Sequence, residues 1–260
     1  MFRWSINLFS VRGIKLAIHW TFFAFLAYVS YAGWQESGMH GLVWGDIILV
    51  AFFFCVVLHE FGHSLTAMRF GVGVRRILLT PIGGIAELDR IPRKPSQELL
   101  ITVMGPAVNF VIAGILYAIL RLRGPEVGDD LWASLADFGQ VLLVWNLKMG
   151  LFNLIPAFPM DGGRILRASL AFKMPYLRAT YWAAMVAKVI TVIGGIAAIY
   201  FDEVFLVAIC AFIYMAGNAE YQYVRRAEIY REQWRQMHMR PVDPIDSSTG
   251  TASEPPVLGP

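Results

Sequence analysis

Six long apolar stretches constrain this chain more than any other feature of its sequence. Each stretch is long enough to cross a bilayer as a helix, which takes roughly 20 apolar residues. A hydrophobic content of 57% and a mean hydropathy of +0.55 also exceed what a soluble chain of 260 residues usually carries. The sequence therefore predicts an all-α polytopic membrane protein. Its transmembrane helices are predicted at residues 14–32, 43–69, 98–120, 135–156, 179–200 and 204–223.

The basic residues predict an orientation for these spans, because cytoplasmic loops carry an excess of Lys and Arg. Eighteen of the 22 Lys and Arg residues lie in the segments placed on the cytoplasmic side or at the span ends that adjoin them. Only Arg121 and Arg123 lie in the outside loops. We expect a multi-pass protein with both termini in the cytoplasm and the lipid bilayer around it. The net charge of +3 follows from this orientation and requires no nucleic-acid partner.

The second span contains two histidines four positions apart, His59 and His63, with Glu60 beside the first. On a helix this spacing places both imidazoles on one face, about 6 Å apart along the axis, so both can bind one metal ion. The adjacent carboxylate can then address a water at the metal. Ionisable groups deep in an apolar helix cost free energy and are functional candidates by default. The alternative is that the two histidines only bond neighbouring helices.

A catalytic zinc site normally takes three protein ligands and leaves a fourth position for water. The segment 153–164, where two prolines interrupt the end of the fourth span, offers Asp161 as the third ligand. This end of the span is predicted on the same side of the membrane as the His pair. Alternatively, Asp161 only caps a following helix at 164–170. Glu87 and Asp89 are competing carboxylates on a surface segment.

The segment 72–88, between spans two and three, mixes β-branched residues with a proline and a Gly pair. This composition predicts a short β-hairpin, which is too short to cross the bilayer and is expected at the membrane surface. The hairpin is either a plain connector or a strand edge to which an extended peptide adds. In the second case the predicted substrate-binding residues are Gly83, Gly84 and Ile85.

Two separated motifs, His-Glu-Phe-Gly-His at 59–63 and Asn-Leu-Ile-Pro-Ala-Phe-Pro-Met-Asp-Gly-Gly-Arg at 153–164, resemble the paired signature of the site-2 proteases. These are intramembrane zinc metalloproteases. Gly-Pro-Ala-Val-Asn at 105–109 and Pro-Ile-Gly-Gly at 81–84 resemble further elements of that family. The similarity covers about residues 10–220.

This resemblance implies that His59, His63 and Asp161 bind one Zn²⁺ per chain and that Glu60 is the general base. It also implies that the substrate is a transmembrane protein, cut in or near a membrane-spanning segment. Asn153 would help to hold the substrate or the transition state.

Asn109 is a further substrate-binding candidate, and a hydrogen bond between neighbouring helices is the alternative for its amide. The chain offers no room for the PDZ or CBS domain of many relatives, so a short form is expected. Residues 1–223 are predicted to form the protease domain, 224–240 a charged cytoplasmic helix and 241–260 a disordered tail.

Other function classes remain open at this point. A membrane zinc transporter or metal sensor would also place histidines and a carboxylate in a helix bundle, although transporters often carry an internal repeat that is not evident here. An inactive scaffold would have no need of Glu60 beside the metal.

Overall fold

The computed structural model describes residues 5–89, 92–123 and 130–238. The chain divides into two compact units, residues 1–155 and 156–260. Within the described residues, the first unit holds a four-stranded sheet and three helices, and the second holds three helices. The elements in chain order are β1 (Ser5–Val11), β2 (Ile14–His19), α1 (Trp20–Arg69), β3 (Val74–Thr80), β4 (Gly83–Leu88), α2 (Pro95–Arg123), α3 (Asp130–Asn153), α4 (Asp161–Ala171), α5 (Tyr176–Tyr200) and α6 (Val204–His238).

The first predicted span begins too early. Residues 14–19 form the strand β2, and the helix begins only at Trp20, with His19 as its N-cap. The apolar residues Ile14, Leu16 and Ala17, which suggested a membrane helix, are all buried in this strand, and Ile14 and Leu16 belong to the core beneath the sheet. An apolar run does not by itself distinguish a buried strand from a buried helix, which explains the error.

The long helix α1 is interrupted near its middle. Ser37 and Gly38 leave the helical region, and Gly38 has a φ of +60°, which a residue with a Cβ rarely adopts. The two halves of α1 then run side by side in opposite directions. Their contacts include Ser30 Oγ donating to Asp46 Oδ1 at 2.8 Å and the rings of Phe22 and Phe53 with centroids 4.7 Å apart. This helical hairpin contains the second predicted span and the part of the first that begins at Trp20.

The strand order in the sheet is β1-β2-β3-β4. The pairs β1/β2 and β3/β4 are antiparallel, while β2 and β3 pair in parallel, with Lys15 opposite Arg76. The predicted hairpin at 72–88 is therefore present as β3 and β4, but it is half of a larger sheet. The predicted fold class holds in its coarser form, because the described chain is mostly helical with a small sheet, and it is corrected by the two further strands β1 and β2. The tight turn at Arg12 and Gly13 joins β1 to β2 locally, whereas the parallel pairing of β2 with β3 lies across the whole of α1 and has no local signal.

An apolar cluster joins the sheet to the second half of α1. Aromatic and branched residues of the helix fill the space beneath the two central strands, and burial of such side chains is the main force holding the two layers together. A smaller cluster joins the end of α1 to α2. The first cluster comprises Ile14, Leu16, Phe22, Phe53, Val56, Val57, Ile77 and Leu79, and the second comprises Ala67, Val72 and Ile101.

Four helices of the described chain are long and apolar enough to cross a membrane, namely α1, α2, α5 and α6. Since α1 is a hairpin, these helices contain five of the six predicted spans. The helix α3 covers most of the remaining predicted span, at 135–156, but it is not among the four. The chain is thus an integral membrane protein, and the total of six spans stays a prediction.

The last helix extends beyond its predicted span. It runs without a break through the charged residues after 223 and ends at His238. The predicted charged helix is therefore a continuation of α6 over most of its length. The predicted disordered tail, 241–260, lies outside the described residues.

Candidate metal centre

His59 and His63 lie in the second half of α1, and their exposed fractions are 3% and 6%. Their Nε2 atoms face each other at 3.2 Å. Two ligands bound to a tetrahedral zinc at about 2.0–2.1 Å lie roughly 3.3 Å from each other. The two Nε2 atoms are thus spaced like two ligands of one zinc ion.

The opposite nitrogen of each ring contacts an oxygen on α2. Nδ1 of His63 lies 2.8 Å from the main-chain oxygen of Ile101, and Nδ1 of His59 lies 2.5 Å from Oδ1 of Asn109. Because both oxygens are acceptors, each Nδ1 carries the ring proton and donates it. Each Nε2 therefore keeps its lone pair, which is the form of imidazole that binds a metal.

Gly105 of α2 leaves space beside the two Nε2 atoms. A Cβ at this position would overlap Nε2 of His63 and lie 2.8 Å from Nε2 of His59. On the facing helix, a Cβ at Gly62 would lie 2.6 Å from the main-chain oxygen of Met104. Glycine on both helices permits this close approach. The histidines thus border a cradle that any larger residue at 105 would fill, and the site fits a metal ion.

Glu60 follows His59 on α1, and its side chain contacts strand β4. A Cβ added to Gly84 would lie 2.5 Å from Cγ of Glu60 and 3.1 Å from its Oε1. The structure therefore brings together two residues that the sequence assigned separately, the predicted base and a predicted substrate-binding glycine. Only a glycine at 84 lets the main chain of β4 approach the carboxylate this closely.

The other two hairpin candidates, Gly83 and Ile85, lie on the same strand. Gly83 has a φ of +141°, and its carbonyl accepts a hydrogen bond from Thr80 Oγ1 at 2.9 Å, which closes the turn. Ile85 is opposite Leu78 in the register and is 43% exposed. In the described sheet β4 is an edge strand.

The two carboxylates that competed as metal ligands form ion pairs on the hairpin. Glu87 accepts from Arg76 at 2.7 Å, and this hydrogen bond raises the pKa of the Arg76 guanidinium. Asp89 accepts from Arg75 at 2.5 Å. Both carboxylates therefore link β4, or the residues that follow it, to an arginine of β3. Neither needs a metal to account for its position.

Asn109 and Asn153 differ in their surroundings. Asn109 is fully buried, and its amide nitrogen donates to Oδ1 of Asn146 at 2.9 Å while its oxygen faces His59. These contacts favour the alternative foreseen for Asn109, a hydrogen bond between neighbouring helices. Asn153 ends α3, is partly exposed and donates to the main-chain oxygen of Met149 at 3.1 Å. Substrate contact by either residue stays a prediction.

Asn146 is a residue of this site that the sequence did not single out. It lies on α3, is fully buried and contacts Asn109 directly. A usable signal was present, because an amide within a predicted membrane span requires a hydrogen-bonding partner.

Asp161 lies in the second unit, where it is the first residue of α4 and is 7% exposed. The N-cap of this helix is Met160, so the predicted alternative of a capping Asp161 is wrong. The helix also begins three residues before the predicted start at Arg164. A carboxylate in the first turn of a helix is favoured by the unpaired N–H groups of the helix end.

The turn that precedes Asp161 is held by Arg167, which sequence reasoning also missed. Arg167 is fully buried and forms an ion pair with Glu220 of α6. Its guanidinium carbon lies 5.1 Å from the ring centroids of both Phe158 and Tyr176. A buried guanidinium needs such partners, and together they fix the segment from Phe158 to α4.

Comparisons with known proteins agree with this chemistry. The family model described as Peptidase family M50 matches residues 47–136 and 126–194. Among solved structures, the site-2 protease from Methanocaldococcus jannaschii is 36% identical, with a TM-score of 0.61. That similarity covers 84% of this chain and 95% of the solved one.

Two curated relatives extend the comparison. A zinc metalloprotease of Methanocaldococcus jannaschii is 36% identical over 229 residues, which is 88% of this chain and 64% of the relative. Stage IV sporulation protein FB of Bacillus subtilis is 27% identical over 141 residues, which is 54% of this chain and 46% of that protein. The chain thus spans less than two thirds of the length of either relative.

Proposed function

This chain belongs to peptidase family M50, and we propose that it is an intramembrane zinc metalloprotease of the site-2 protease type. It hydrolyses peptide bonds in or near the transmembrane segments of membrane proteins. The observation that carries this proposal is the His pair, with Nε2 atoms 3.2 Å apart and each Nδ1 in contact with an oxygen. Glu60 lies next to this pair in the sequence.

The zinc ligands in this proposal are His59, His63 and Asp161. Each offers one ligand atom and all three are buried. Two imidazoles and one carboxylate form a donor set that suits a catalytic zinc, because three protein ligands leave one position for water or substrate. When bound, zinc supplies Lewis acidity, which makes water more acidic and stabilises negative charge on a carbonyl oxygen.

Glu60 acts as general base and then as general acid. Its carboxylate takes a proton from the attacking water and returns it to the leaving amine, so the nitrogen departs as a neutral amine. The contact between Glu60 and Gly84 supports this role, because it places the carboxylate beside the edge of the sheet.

The substrate binds in extended form along β4. Peptide bonds inside a helix are occupied by their own hydrogen bonds, so the segment to be cut must first unwind. An edge strand replaces those bonds with main-chain hydrogen bonds to the protein. Gly83, Gly84 and Ile85 form the part of the edge nearest to Glu60, and Asn153 holds the substrate or the transition state.

The active site opens toward the cytoplasmic half of the bilayer, and both termini are cytoplasmic. This orientation is supported by the excess of Lys and Arg in the segments that flank the spans on that side. It provides a short path by which water reaches the histidines from the cytoplasm.

The test compares wild type with Glu60→Gln in proteoliposomes that contain a model transmembrane substrate. We expect Glu60→Gln to bind zinc as the wild type does but to lose roughly 10²–10⁴-fold in cleavage rate. Glu36→Gln, which changes an exposed carboxylate on the same helix, is the matched control and should cleave normally. Retained cleavage by Glu60→Gln would contradict the role of Glu60. Zinc flux across the vesicle without cleavage would support a transporter instead.

A further inference from the structure

A chain of buried hydrogen bonds leads from His59 away from the candidate metal centre. Nδ1 of His59 lies 2.5 Å from Oδ1 of Asn109, and Nδ2 of Asn109 donates to Oδ1 of Asn146 at 2.9 Å. Nδ2 of Asn146 donates in turn to the main-chain oxygen of Leu142 at 2.8 Å. Both amide side chains are fully buried, so water cannot replace any of these partners. The chain connects α1, α2 and α3.

The direction of these hydrogen bonds is set at the end remote from His59. The carbonyl oxygen of Leu142 can only accept, so the NH₂ group of Asn146 must face it. This orientation turns the oxygen of Asn146 toward Asn109, which then presents its own NH₂ group to Asn146. The oxygen of Asn109 is left facing His59, and Nδ1 of His59 must donate to it.

Two sulfur atoms reinforce the same direction. The NH₂ group of Asn109 also lies 3.5 Å from Sδ of Met149, and a thioether sulfur can only accept. The NH₂ group of Asn146 lies 3.4 Å from Sγ of Cys55. Each amide therefore has acceptors on its nitrogen side from two different residues.

The reverse orientation of Asn109 would be unfavourable in two ways. Its oxygen would then face the oxygen of Asn146, which leaves two buried acceptors opposed. Its NH₂ group would face His59 and make Nδ1 the acceptor, which moves the ring proton to Nε2. An imidazole protonated at Nε2 has no lone pair for a metal on that side.

We propose that Asn146 is a positioning residue of the metal centre. It fixes the amide orientation of Asn109, and Asn109 fixes the tautomer in which His59 presents the Nε2 lone pair to zinc. Asn146 touches neither metal nor substrate and acts only through Asn109. The inference rests on the proposed function in one respect, that His59 is a zinc ligand.

The first experiment measures zinc affinity on the full-length, metal-free protein in detergent, by competition with a chelator of known affinity. We expect Asn146→Leu to bind zinc roughly 10-fold more weakly than wild type, the lower end of the effect of removing a histidine's own outer partner, because Asn146 acts one hydrogen bond further out. Asn146→Asp should recover most of the affinity. Its neutral carboxylic acid donates to Leu142 and accepts from Asn109, in the same direction as the amide.

The decisive comparison repeats Asn146→Leu in an Asn109→Asp background. A carboxylate at 109 accepts through either oxygen, so it holds the proton on Nδ1 of His59 without help from Asn146. The effect of Asn146→Leu on zinc affinity should therefore shrink to within about threefold, well below the loss expected for the amide. A residue that only packs the helices together would weaken zinc binding equally in both backgrounds, and that result would overturn the proposal.

The tautomer of His59 gives a readout that does not depend on activity. In metal-free protein with ¹⁵N-labelled histidine, the wild type should show His59 protonated at Nδ1, and Asn146→Leu should show a mixture of tautomers. An unchanged tautomer together with unchanged zinc affinity would overturn this inference and leave the protease proposal standing. If replacing His59 left the zinc affinity unchanged, both this inference and the protease proposal would be overturned.

Discussion

The two histidines of the candidate metal centre lie one helical turn apart, and different kinds of group on α2 hold them in place. His63 donates to a main-chain oxygen, that of Ile101, whereas His59 donates to the side chain of Asn109. A carbonyl within a helix cannot be reversed, so the surroundings of His63 follow from the packing of α2 against α1. An amide can be reversed, and the surroundings of His59 therefore require further side chains that fix its direction.

This contrast separates two kinds of sensitivity to mutation. No ordinary side-chain substitution at 101 removes the acceptor of His63, because that acceptor belongs to the backbone. A single substitution at 109 removes the acceptor of His59. Zinc binding should thus tolerate a substitution beside His63 but not the loss of the acceptor beside His59. The following variants test that difference in order of expected effect.

The largest effect is expected from Gly105→Ala, which acts on both histidines at once. The added Cβ would overlap Nε2 of His63 and crowd Nε2 of His59, so zinc should no longer copurify and cleavage should fall below detection. Gly114→Ala, on the same helix, adds a Cβ with nothing within 4 Å and should leave both properties unchanged. Metal content and cleavage are measured on the same preparations. Normal zinc content in Gly105→Ala would mean that the cradle is wider than described.

The next effect is expected from Gly84→Ala, which spares both histidines. Its Cβ would lie 2.5 Å from Cγ of Glu60 and displace the carboxylate, and a catalytic group misplaced by about 1 Å can lose roughly 100-fold in rate. Zinc affinity should not change, because the added atom is directed at the base alone. Gly45→Ala, where a Cβ meets only Val29 at 3.7 Å, serves as the control. If Gly84→Ala lost zinc together with activity, the positions of Glu60 and of the two histidines would depend on each other, which contradicts this prediction.

Asn109→Leu directly tests how far zinc binding depends on the acceptor beside His59. It removes the acceptor from Nδ1 of His59, and we expect zinc affinity to fall roughly 10–100-fold. The matched control beside His63 is Ile101→Val. It costs about 0.5–1.5 kcal/mol of stability at a buried position but keeps the carbonyl to which His63 donates. Its zinc affinity should match that of the wild type. Equal losses in the two variants would show that the contrast between the histidines does not exist.

The smallest effect is expected from Cys55→Ala. Sγ of Cys55 lies 3.4 Å from Nδ2 of Asn146, but sulfur is a weak acceptor and the same NH₂ group also donates to Leu142. Zinc affinity, measured by chelator competition, should change by less than about twofold, since the stronger of the two hydrogen bonds remains. A tenfold loss would assign the orientation of Asn146 to the thiol instead of the carbonyl.

The parts of this site that the sequence could predict are those that depend on local spacing. Histidines four apart share a helical face, so their convergence follows from helix geometry alone. The hairpin at 72–88 was equally readable, because its Gly pair and β-branched residues lie next to each other in the chain. The residues themselves predict Glu60 beside a metal-bound water and Asp161 as the third ligand, and the resemblance to the site-2 proteases implies the same roles.

The parts that could not be predicted depend on partners far apart in the sequence. Asn146 is one amide in an apolar helix, and nothing nearby in the sequence shows that it meets Asn109. Residues 14–19 pair with β3 only across the whole of α1, and no local pattern shows this parallel pairing. The contact of Gly84 with Glu60 likewise depends on the packing of the sheet against α1.

The parallel pairing of β2 with β3 also sets an order of assembly. These two strands are separated in the chain by the whole of α1, whose halves run out and back around the break at Ser37 and Gly38. During synthesis β2 emerges first and has no parallel neighbour until both halves of the helical hairpin have been made. Closing so long a loop is slow compared with forming either hairpin alone. The edge strand β4, which contacts Glu60, therefore becomes part of the complete four-stranded sheet only after both halves of α1 have been made.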